Sequence, residues 1–485
     1  MTNMENYCFD VFGYLVIRNV LTSDEIRACG DAMGDGQALS APSLPPAFAR
    51  LRDHTLLAGY LDELMVGERE VVGAPWVIGA CERMDNGHLV GGNEPRNVSR
   101  MYHHQNGVRF CQNMLAIWAL SDVDAGDGGV ALVPASHRSQ VQTPRELITR
   151  SDDMNVVRQP ALNAGDLILC AASTLHGFCK SQAHLLAFEY ASDSVQVTPK
   201  HKWGDWVSEL TPLQKAVFTP EGCPDTPPVI SSDGVVAQIA SDTDILHPSI
   251  FKYDADCGID AREFYLWDLC GHLVLKNVMD TALLDAANRA MDVCFDPGVA
   301  GDRAAKGSKA LSDTGVPSLN DIFELPKPHC DPFREMAVHP SVILRLNWMM
   351  GSGFRCRDAR AICSAEGWAG HRLHSGADPV KPKNTYVMQN GRVYCDSINV
   401  AWQLRDVRLS DGGFMCIPGS HKARYPVPPE LIASEETMDM PTHVEMDAGD
   451  LVMFLGAAQT HGGFPWKSAV ARRAILLGYS SRYIS

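Results

Sequence analysis

The chain has 485 residues, of which 45% are hydrophobic and 21% charged, and its formal net charge is −16. A chain of this length exceeds what one hydrophobic core supports, so we expect at least two domains. No apolar run approaches the roughly eighteen residues that a membrane-spanning helix requires. Lys and Arg are not clustered, although nucleic-acid binding by counterion release depends on such clusters. These observations favour a globular enzyme or binding protein with a small-molecule ligand, and no membrane or nucleic-acid partner.

The fifteen cysteines are spread singly along the chain. Without close Cys pairs, a disulfide framework or a structural zinc site is not expected. The N-terminal segment lacks a basic stretch followed by an apolar one, and the last residues do not form a known address signal. We therefore expect a reducing, cytoplasmic location.

The first predicted strand, GYLVIRNV, begins at Gly13, and a helix opened by a polar cap at residues 22–25 follows it. Four more short strands follow, separated by turn residues: MLAIWAL, GGVALVPAS, GDLILCAAS and HLLAFEYAS. Many short strands with Gly and Asp turns are typical of a sandwich or barrel closed by antiparallel pairing.

The second half of the chain repeats this order from Gly271, with GHLVLKNV, NVAWQL, GGFMCIPGS, GDLVMFLG and ARRAILLGYSS. Trp118 and Trp402 lie 284 residues apart, and so do Asp166 and Asp450. A repeat of this size, present only twice, indicates a duplicated domain and not a solenoid.

We therefore predict a mainly β fold with flanking helices (α+β), built as two tandem double-stranded β-helix (jelly-roll) domains. The first domain would span residues 1–221 and the second residues 257–485. The segment 222–256 is rich in Pro, Ser and Asp, which is typical of a linker.

An ordered set of short motifs lies between residues 391 and 473. It reads Gly-Arg, Ala-Trp, Asp-Gly-Gly-Phe, Pro-Gly-Ser-His-Lys, Ala-Gly-Asp, Thr-His-Gly and Arg-Arg. This set resembles the phytanoyl-CoA dioxygenase family of non-haem Fe(II), 2-oxoglutarate-dependent oxygenases. The resemblance implies Fe(II), 2-oxoglutarate and O2 as cofactor and cosubstrates, and the oxidation (hydroxylation) of a small organic substrate.

The resemblance also implies roles for four residues of the second copy. His461 takes the place of the distal metal-binding histidine, and His374 that of the histidine in the family's H-x-D motif. Arg472 stands at the family's usual distance after His461 for the arginine that pairs with 2-oxoglutarate, a role suited to a planar guanidinium. Trp402 lies on the strand that borders the cosubstrate.

The second copy departs from the family pattern at Gly376, which occupies the place of the metal-binding carboxylate. Three readings follow. Asp378 or Asp396 supplies the missing acid. Alternatively, the H-x-G centre resembles the iron halogenases, in which a halide takes the vacated position. In the third reading the site is only partly assembled, and the tandem acts as an inactive binding module.

The first copy departs further. His176 is retained, but Val90 stands where the second copy has His374, and Ala187 where it has Arg472. His103 and His104 remain nearby candidates for metal binding. We expect the first copy to be degenerate and to act as a structural or substrate-binding partner. The substrate and the oligomeric state stay open.

Overall fold

The structure is a computed structural model. It describes residues 1–33, 44–78, 88–92, 102–105, 108–126, 128–179, 183–192, 209, 228–230, 236–238, 258–295, 318–351, 353–378, 381–389 and 392–481. Its α-helices are Asn3–Phe12, Ser23–Met33, Pro46–Arg52, Thr55–Leu64, Arg145–Ile148, Ala261–Cys270, Thr281–Cys294, Asp331–Ala337, Pro340–Met350 and Pro429–Ile432. None of these helices is both long and apolar enough to cross a membrane.

Ten strands lie in the described part of the first half of the chain. Strands β1 to β10 are Tyr14–Ile17, Arg69–Val71, Trp76–Ile78, Tyr102–Gln105, Val108–Cys111, Asn113–Ala119, Gly129–Leu132, Leu167–Ala171, His176–Cys179 and Leu185–Ser192. The larger sheet has the order β1-β8-β6-β10-β2, with β3 also paired to β10. Strands β7 and β9 form a second sheet, and β4 and β5 a third. The pairs in these sheets are antiparallel.

The remaining strands begin with a hairpin of β11 (Pro228–Ile230) and β12 (Val236–Gln238). Strands β13 to β24 are His272–Leu275, Ser318–Asn320, Arg355–Ser364, His371–His374, Tyr386–Gln389, Arg392–Cys395, Ile398–Gln403, Gly413–Cys416, Thr442–His443, Leu451–Leu455, His461–Phe464 and Arg472–Ser480. The larger sheet has the order β13-β22-β19-β24-β15-β14, and the smaller sheet the order β16-β23-β20-β21. Strands β17 and β18 pair separately.

Each half opens with a capped helix. In Asn3–Phe12 the Thr2 hydroxyl accepts a bond from the backbone N–H of Glu5, and the Glu5 carboxylate accepts one from Thr2, which is a capping box. In Ala261–Cys270 the Asp260 carboxylate accepts a bond from the N–H of Arg262. Both helices run directly into the first strand of a larger sheet, and so fix where that strand begins.

Two large apolar clusters form the core. The first joins the larger sheet of the first half to Leu373 and Met415 of the smaller sheet of the second half, and to Ile417 just after β20. The second cluster lies within the second half and contains Trp402. The prediction of a mainly β fold with flanking helices is confirmed. Apart from β11 and β12, the predicted linker 222–256 lies outside the described residues.

Candidate metal centre

Two of the predicted site residues meet in the smaller sheet of the second half. His374 is the last residue of β16 and His461 the first of β23, and antiparallel pairing places them directly opposite each other. Their ring centroids lie 4.2 Å apart. Residues on opposite strands share a face of the sheet, so both imidazoles can reach one point.

The backbone fixes the orientation of both rings. His374 Nδ1 lies 3.2 Å from the carbonyl oxygen of Arg372, and His461 Nδ1 lies 2.9 Å from that of Gln459. Because a carbonyl can only accept, each Nδ1–H donates and each Nε2 keeps a free lone pair. Such bonds to the second ring nitrogen are usual for metal-binding histidines.

Burial keeps both imidazoles neutral. It lowers the pKa of His374 to about 4, with a smaller contribution from His371. Burial also holds the pKa of His461 well below its usual range, assisted by its neighbour His374. Since the neutral ring is the form that binds metal, both residues are ready ligands at neutral pH.

His371 is a third imidazole at this place that the sequence analysis missed. Its ring centroid lies 4.6 Å from that of His374, and its Nδ1 lies 2.9 Å from the carbonyl oxygen of Arg372. The His-x-x-His spacing of His371 and His374 in β16 was a sequence signal that could have identified it. Even so, the described residues hold no group of three His, Cys, Asp or Glu side chains placed to bind one metal ion.

The two candidate acids lie away from the histidines. Asp378 pairs with Lys381 at 3.0 Å and lines a separate cavity of about 320 Å³, together with His103 and His104. The buried carboxylate of Asp396 accepts a bond from the backbone N–H of Ser481. Neither carboxylate lines the cavity that holds the histidines.

Gly376 is tightly enclosed. Its φ is +149°, and a Cβ built on it would lie 3.0 Å from Val427 Cγ2 and 3.3 Å from Thr460 Oγ1. A side chain at this position would therefore be strained, and its first atom would meet these two residues. The glycine does not line the histidine cavity.

The histidines open into a cavity of about 430 Å³ between the two sheets of the second half. The smaller sheet contributes His371, His374 and His461. Inner-face residues of the larger sheet complete the wall, among them Arg360, Ile362, Asn399, Ala401, Phe454, Arg472, Ala474 and Leu476. This is the size range of small-molecule sites.

Arg472 is the most unusual residue of the cavity. It is 6% exposed, and burial alone lowers its pKa to about 10. Its Nε has no hydrogen-bond partner, and no carboxylate among the described residues pairs with its guanidinium. A buried cation without a counterion is costly, so this position is suited to an anion supplied from outside the chain.

Two more unpartnered polar side chains lie beside Arg472. In the sheet register Ser364 on β15 is directly opposite Arg472, and Gln403 on β19 is opposite Ala474. Within the described part of the chain, Ser364 Oγ and both Gln403 side-chain polar atoms lack hydrogen-bond partners, and both residues are fully buried. Three neighbouring strands thus carry polar groups without hydrogen-bond partners on the same face of the larger sheet, an arrangement suited to binding a carboxylate.

Trp402 lies elsewhere. Side chains alternate along a strand, and on β19 the neighbouring Ala401 lines the cavity. Trp402 accordingly belongs to the apolar core, where its ring contacts His339 at 5.4 Å between centroids, and it does not line the cavity. A role beside the cosubstrate therefore stays a prediction without a contact to support it.

Residues 371–474 match the phytanoyl-CoA dioxygenase (PhyH) family model. This PhyH segment begins at His371 and ends just after Arg472, so it contains the three histidines and the unpaired guanidinium. No curated protein sequence matches the chain.

Solved structures of HygX and SnoK are similar to part of the chain. HygX from Streptomyces hygroscopicus with nickel and 2-oxoglutarate bound is 18% identical over 47% of this chain and 89% of its own, with a TM-score of 0.39. HygX with iron bound is 17% identical over 47% and 88%, with a TM-score of 0.38. The non-heme alpha ketoglutarate dependent carbocyclase SnoK from nogalamycin biosynthesis is 13% identical over 46% and 84%, with a TM-score of 0.34.

Among the described residues of the first half, one residue, His176, is the counterpart of a cavity histidine, His461. His176 begins β9, its Nδ1 lies 2.7 Å from the carbonyl oxygen of Thr174, and it pairs across the sheet with Val90. The buried Ala187 offers no cation. His103 is exposed and stacks on Phe110.

Proposed function

We propose that the second half of the chain is a non-haem Fe(II)/2-oxoglutarate-dependent dioxygenase that oxidises (hydroxylates) a small organic substrate. The observation that carries this proposal is the buried, unpaired Arg472 in the same cavity as two neutral histidines. The PhyH match over residues 371–474 supports it independently.

The proposal extends to the whole chain as two tandem jelly-roll domains, residues 1–221 and 257–485, joined by a linker at 222–256. It is supported by the strand order β1-β8-β6-β10 in one larger sheet and β13-β22-β19-β24 in the other. In this arrangement Trp118 is equivalent to Trp402, and His176 to His461. The reducing, cytoplasmic location expected from the sequence belongs to this proposal.

In this enzyme His374 and His461 would bind Fe(II) through Nε2. Arg472, with Gln403 and Ser364 beside it, would bind the carboxylate of 2-oxoglutarate that lies away from the metal. When bound, the iron and 2-oxoglutarate would allow O2 to oxidise the substrate, coupled to the conversion of 2-oxoglutarate to succinate and CO2. Phe454 lies 4.8 Å from the His461 ring and keeps water from that side of the centre.

The substrate would meet further hydrogen-bond donors in the same cavity. Arg360 Nη2 pairs with Asp358 at 2.9 Å, but its Nε has no partner within the described residues, and the same holds for Trp368 Nε1. Arg360 also lies near enough to His371 and His374 to lower the pKa of both. We therefore propose a substrate that carries acceptor or anionic groups.

The third metal ligand separates this proposal from its alternatives. Hydroxylation in the usual way needs Asp378 or Asp396 to move to the histidines on metal binding. A halogenase would instead use a halide as the third ligand, and this second candidate is supported because neither acid lines the cavity that holds the histidines, where Gly376 is also absent from the lining. Chloride should then strengthen Fe(II) and 2-oxoglutarate binding in anaerobic titrations, whereas a carboxylate ligand would make binding indifferent to chloride.

The direct test is anaerobic titration of the whole chain with Fe(II) and 2-oxoglutarate, followed by a succinate assay in air. We expect one iron per chain and succinate formation that depends on both additions. Protein that binds neither Fe(II) nor 2-oxoglutarate would instead support an inactive binding module.

A further inference from the structure

A buried cluster around Asp10 joins the two halves. Asp10 is fully buried and accepts bonds from the Tyr102 hydroxyl at 2.8 Å and from Arg138 at 3.0 Å, both in its own half. Its Oδ2 also accepts a bond at 2.8 Å from the backbone N–H of Arg424, in the other half. One carboxylate is thus shared between the two parts of the chain.

Asp268 forms an equivalent cluster in which the roles of the two halves are exchanged. It too is fully buried and accepts bonds from the Tyr386 hydroxyl at 3.0 Å and from Lys422 at 3.2 Å, both in its own half. Its Oδ2 accepts a bond at 2.8 Å from the backbone N–H of Gln140, in the first half.

The two clusters correspond residue by residue. The aspartates lie 258 residues apart, the separation of the first repeated strands, and each of the three partner positions is 284 residues from its counterpart, the separation of the tryptophan strands. Each aspartate therefore binds two groups of its own half and the same backbone N–H of the other half. Such reciprocity is the mark of an isologous interface.

Contacts between equivalent positions locate an axis. In a twofold interface only residues at the axis can touch their own counterparts. Lys422 Nζ donates to the backbone carbonyl of Arg138 at 3.0 Å, and the Ala135 methyl occupies the space that a Cβ on Gly419 would need. The three pairs that touch in this way, each 284 residues apart, are Ala135 with Gly419, Arg138 with Lys422, and Arg158 with Thr442.

We infer that the two halves are held together by a pseudo-twofold interface, a dimer interface fused into one chain. The surface of each half is self-complementary, and its partner is the equivalent surface of the other half. The first half thereby acts as a permanent partner subunit for the half that carries the histidine cavity. This inference rests on the proposed tandem arrangement, but it requires neither metal nor 2-oxoglutarate.

The test uses the full chain with a protease site inserted at residues 231–235, within the predicted linker. After cleavage, without metal or 2-oxoglutarate, light scattering on a sizing column should report one species near the mass of the intact chain, 53.0 kDa. Fragments that elute separately at micromolar concentration would overturn the inference. The result is independent of whether the protein binds iron.

Matched substitutions test the symmetry. Asp10→Asn and Asp268→Asn should each raise the dissociation constant of the cleaved halves, and by factors that agree within about tenfold, because each removes the negative charge that the three equivalent donors share and replaces one of the two accepting oxygens by a donor. The additional 3.4 Å bond that Asp268 accepts from Ser139 Oγ adds little to this effect. The milder pair, Tyr102→Phe and Tyr386→Phe, deletes one hydroxyl in each cluster and keeps the test valid if the aspartate variants fail to fold. Asp24→Asn, which affects only an exposed ion pair with Arg27, is the control. A large effect in one half with none in the other would contradict a pseudo-twofold interface.

Discussion

At the scale of single residues, the decisive feature of the cavity is a charge without a partner. Arg472 is buried, and no described carboxylate neutralises it. The sequence could predict this residue because its distance from His461 matched a known pattern. The His-x-x-His spacing was a sequence signal for His371, but no sequence pattern placed Gln403 and Ser364 beside Arg472, because which side chains share a face depends on how the strands are paired.

Replacing Arg472 tests the anion site. We expect Arg472→Ala to weaken 2-oxoglutarate binding by about 2 to 4 kcal/mol, the range for truncating one partner of a buried charge pair. Anaerobic calorimetry with Mn(II) in place of Fe(II) measures it. The control is His184→Ala, which alters the basic residue near the equivalent strand of the first half and should change almost nothing. Equal losses from both substitutions would mean that the active half has been misassigned.

Gln403 should show a conflict between stability and binding. Its side-chain amide is buried and has no hydrogen-bond partner among the residues that the structure describes, which costs about 1 to 3 kcal/mol in the free protein. Gln403→Met should therefore raise the free energy of unfolding, measured in urea without ligand, and weaken 2-oxoglutarate binding about tenfold.

The matched control for this substitution is Gln159→Met. Gln159 lies outside the histidine cavity and donates a bond to Cys179. Gln159→Met should leave the free energy of unfolding unchanged or lower it, and 2-oxoglutarate binding should stay unchanged. If Gln403→Met destabilises the free protein instead, the amide has a partner in solution and no vacant anion site is needed to explain it.

At the scale of strands, sequence patterns located the elements but not their neighbours. Short apolar runs between Gly and Asp turns predicted β19, β20, β22 and β24, and the described strands confirm them. The registration of β15 against β24, which places Ser364 opposite Arg472, joins segments more than a hundred residues apart. No local pattern encodes that pairing, since register follows from the packing of the whole sheet.

The missing carboxylate is a property of the segment after β16. Because Gly376 has a positive φ and a Cβ at this position would meet Val427 and Thr460, we expect Gly376→Asp to lower the melting temperature by several degrees without strengthening Fe(II) binding. Gly126→Asp is a matched control, since Gly126 also has a positive φ, of +90°, but has open space around it. Tighter iron binding by Gly376→Asp would show that an aspartate at this position can reach the metal, as in the H-x-D motif of the family.

At the scale of the whole molecule, two buried histidines make the joined halves sensitive to acid. His137 Nε2 donates to the backbone carbonyl of Asp10 and His421 Nε2 to that of Asp268, both at 3.1 Å. Burial holds the pKa of both rings well below the usual 6.5, with nearby Arg138 and Lys422 adding to the effect. Their folded forms are therefore neutral, while their unfolded forms take up protons near pH 6.5.

Stability should consequently fall as the pH drops through about 6.5. The unfolded state binds more protons there, so each histidine should cost about 1 kcal/mol between pH 7.5 and 5.5. The double variant His137→Gln/His421→Gln should lose about 2 kcal/mol of this dependence in urea titrations, the rest belonging to other buried histidines such as His272, His374 and His461, whose pKa values burial also lowers. His184→Gln, altered at an exposed position, should keep the full dependence. An unchanged pH dependence in the double variant would place its origin elsewhere.

The contact between Ala135 and Gly419 predicts a compensating pair of substitutions. Gly419→Ala should destabilise the chain by about 1 to 3 kcal/mol, because its methyl group would overlap that of Ala135. Both positions have positive φ, +68° and +80°, which strains alanine at either one to a similar degree. Adding Ala135→Gly should restore stability close to the original value in urea titrations. Strictly additive losses would contradict direct contact between the two positions.

That contact has a consequence for how such a molecule can change over time. In a dimer of identical chains, the two residues that meet on the axis are encoded by the same codon, so the contact contains two methyl groups or none. Here it carries one, at Ala135, facing the bare Cα of Gly419. A single methyl group at this contact requires that the two positions be encoded separately, as they are in one fused chain. A sequence adapted in this way no longer suits separation into two identical subunits.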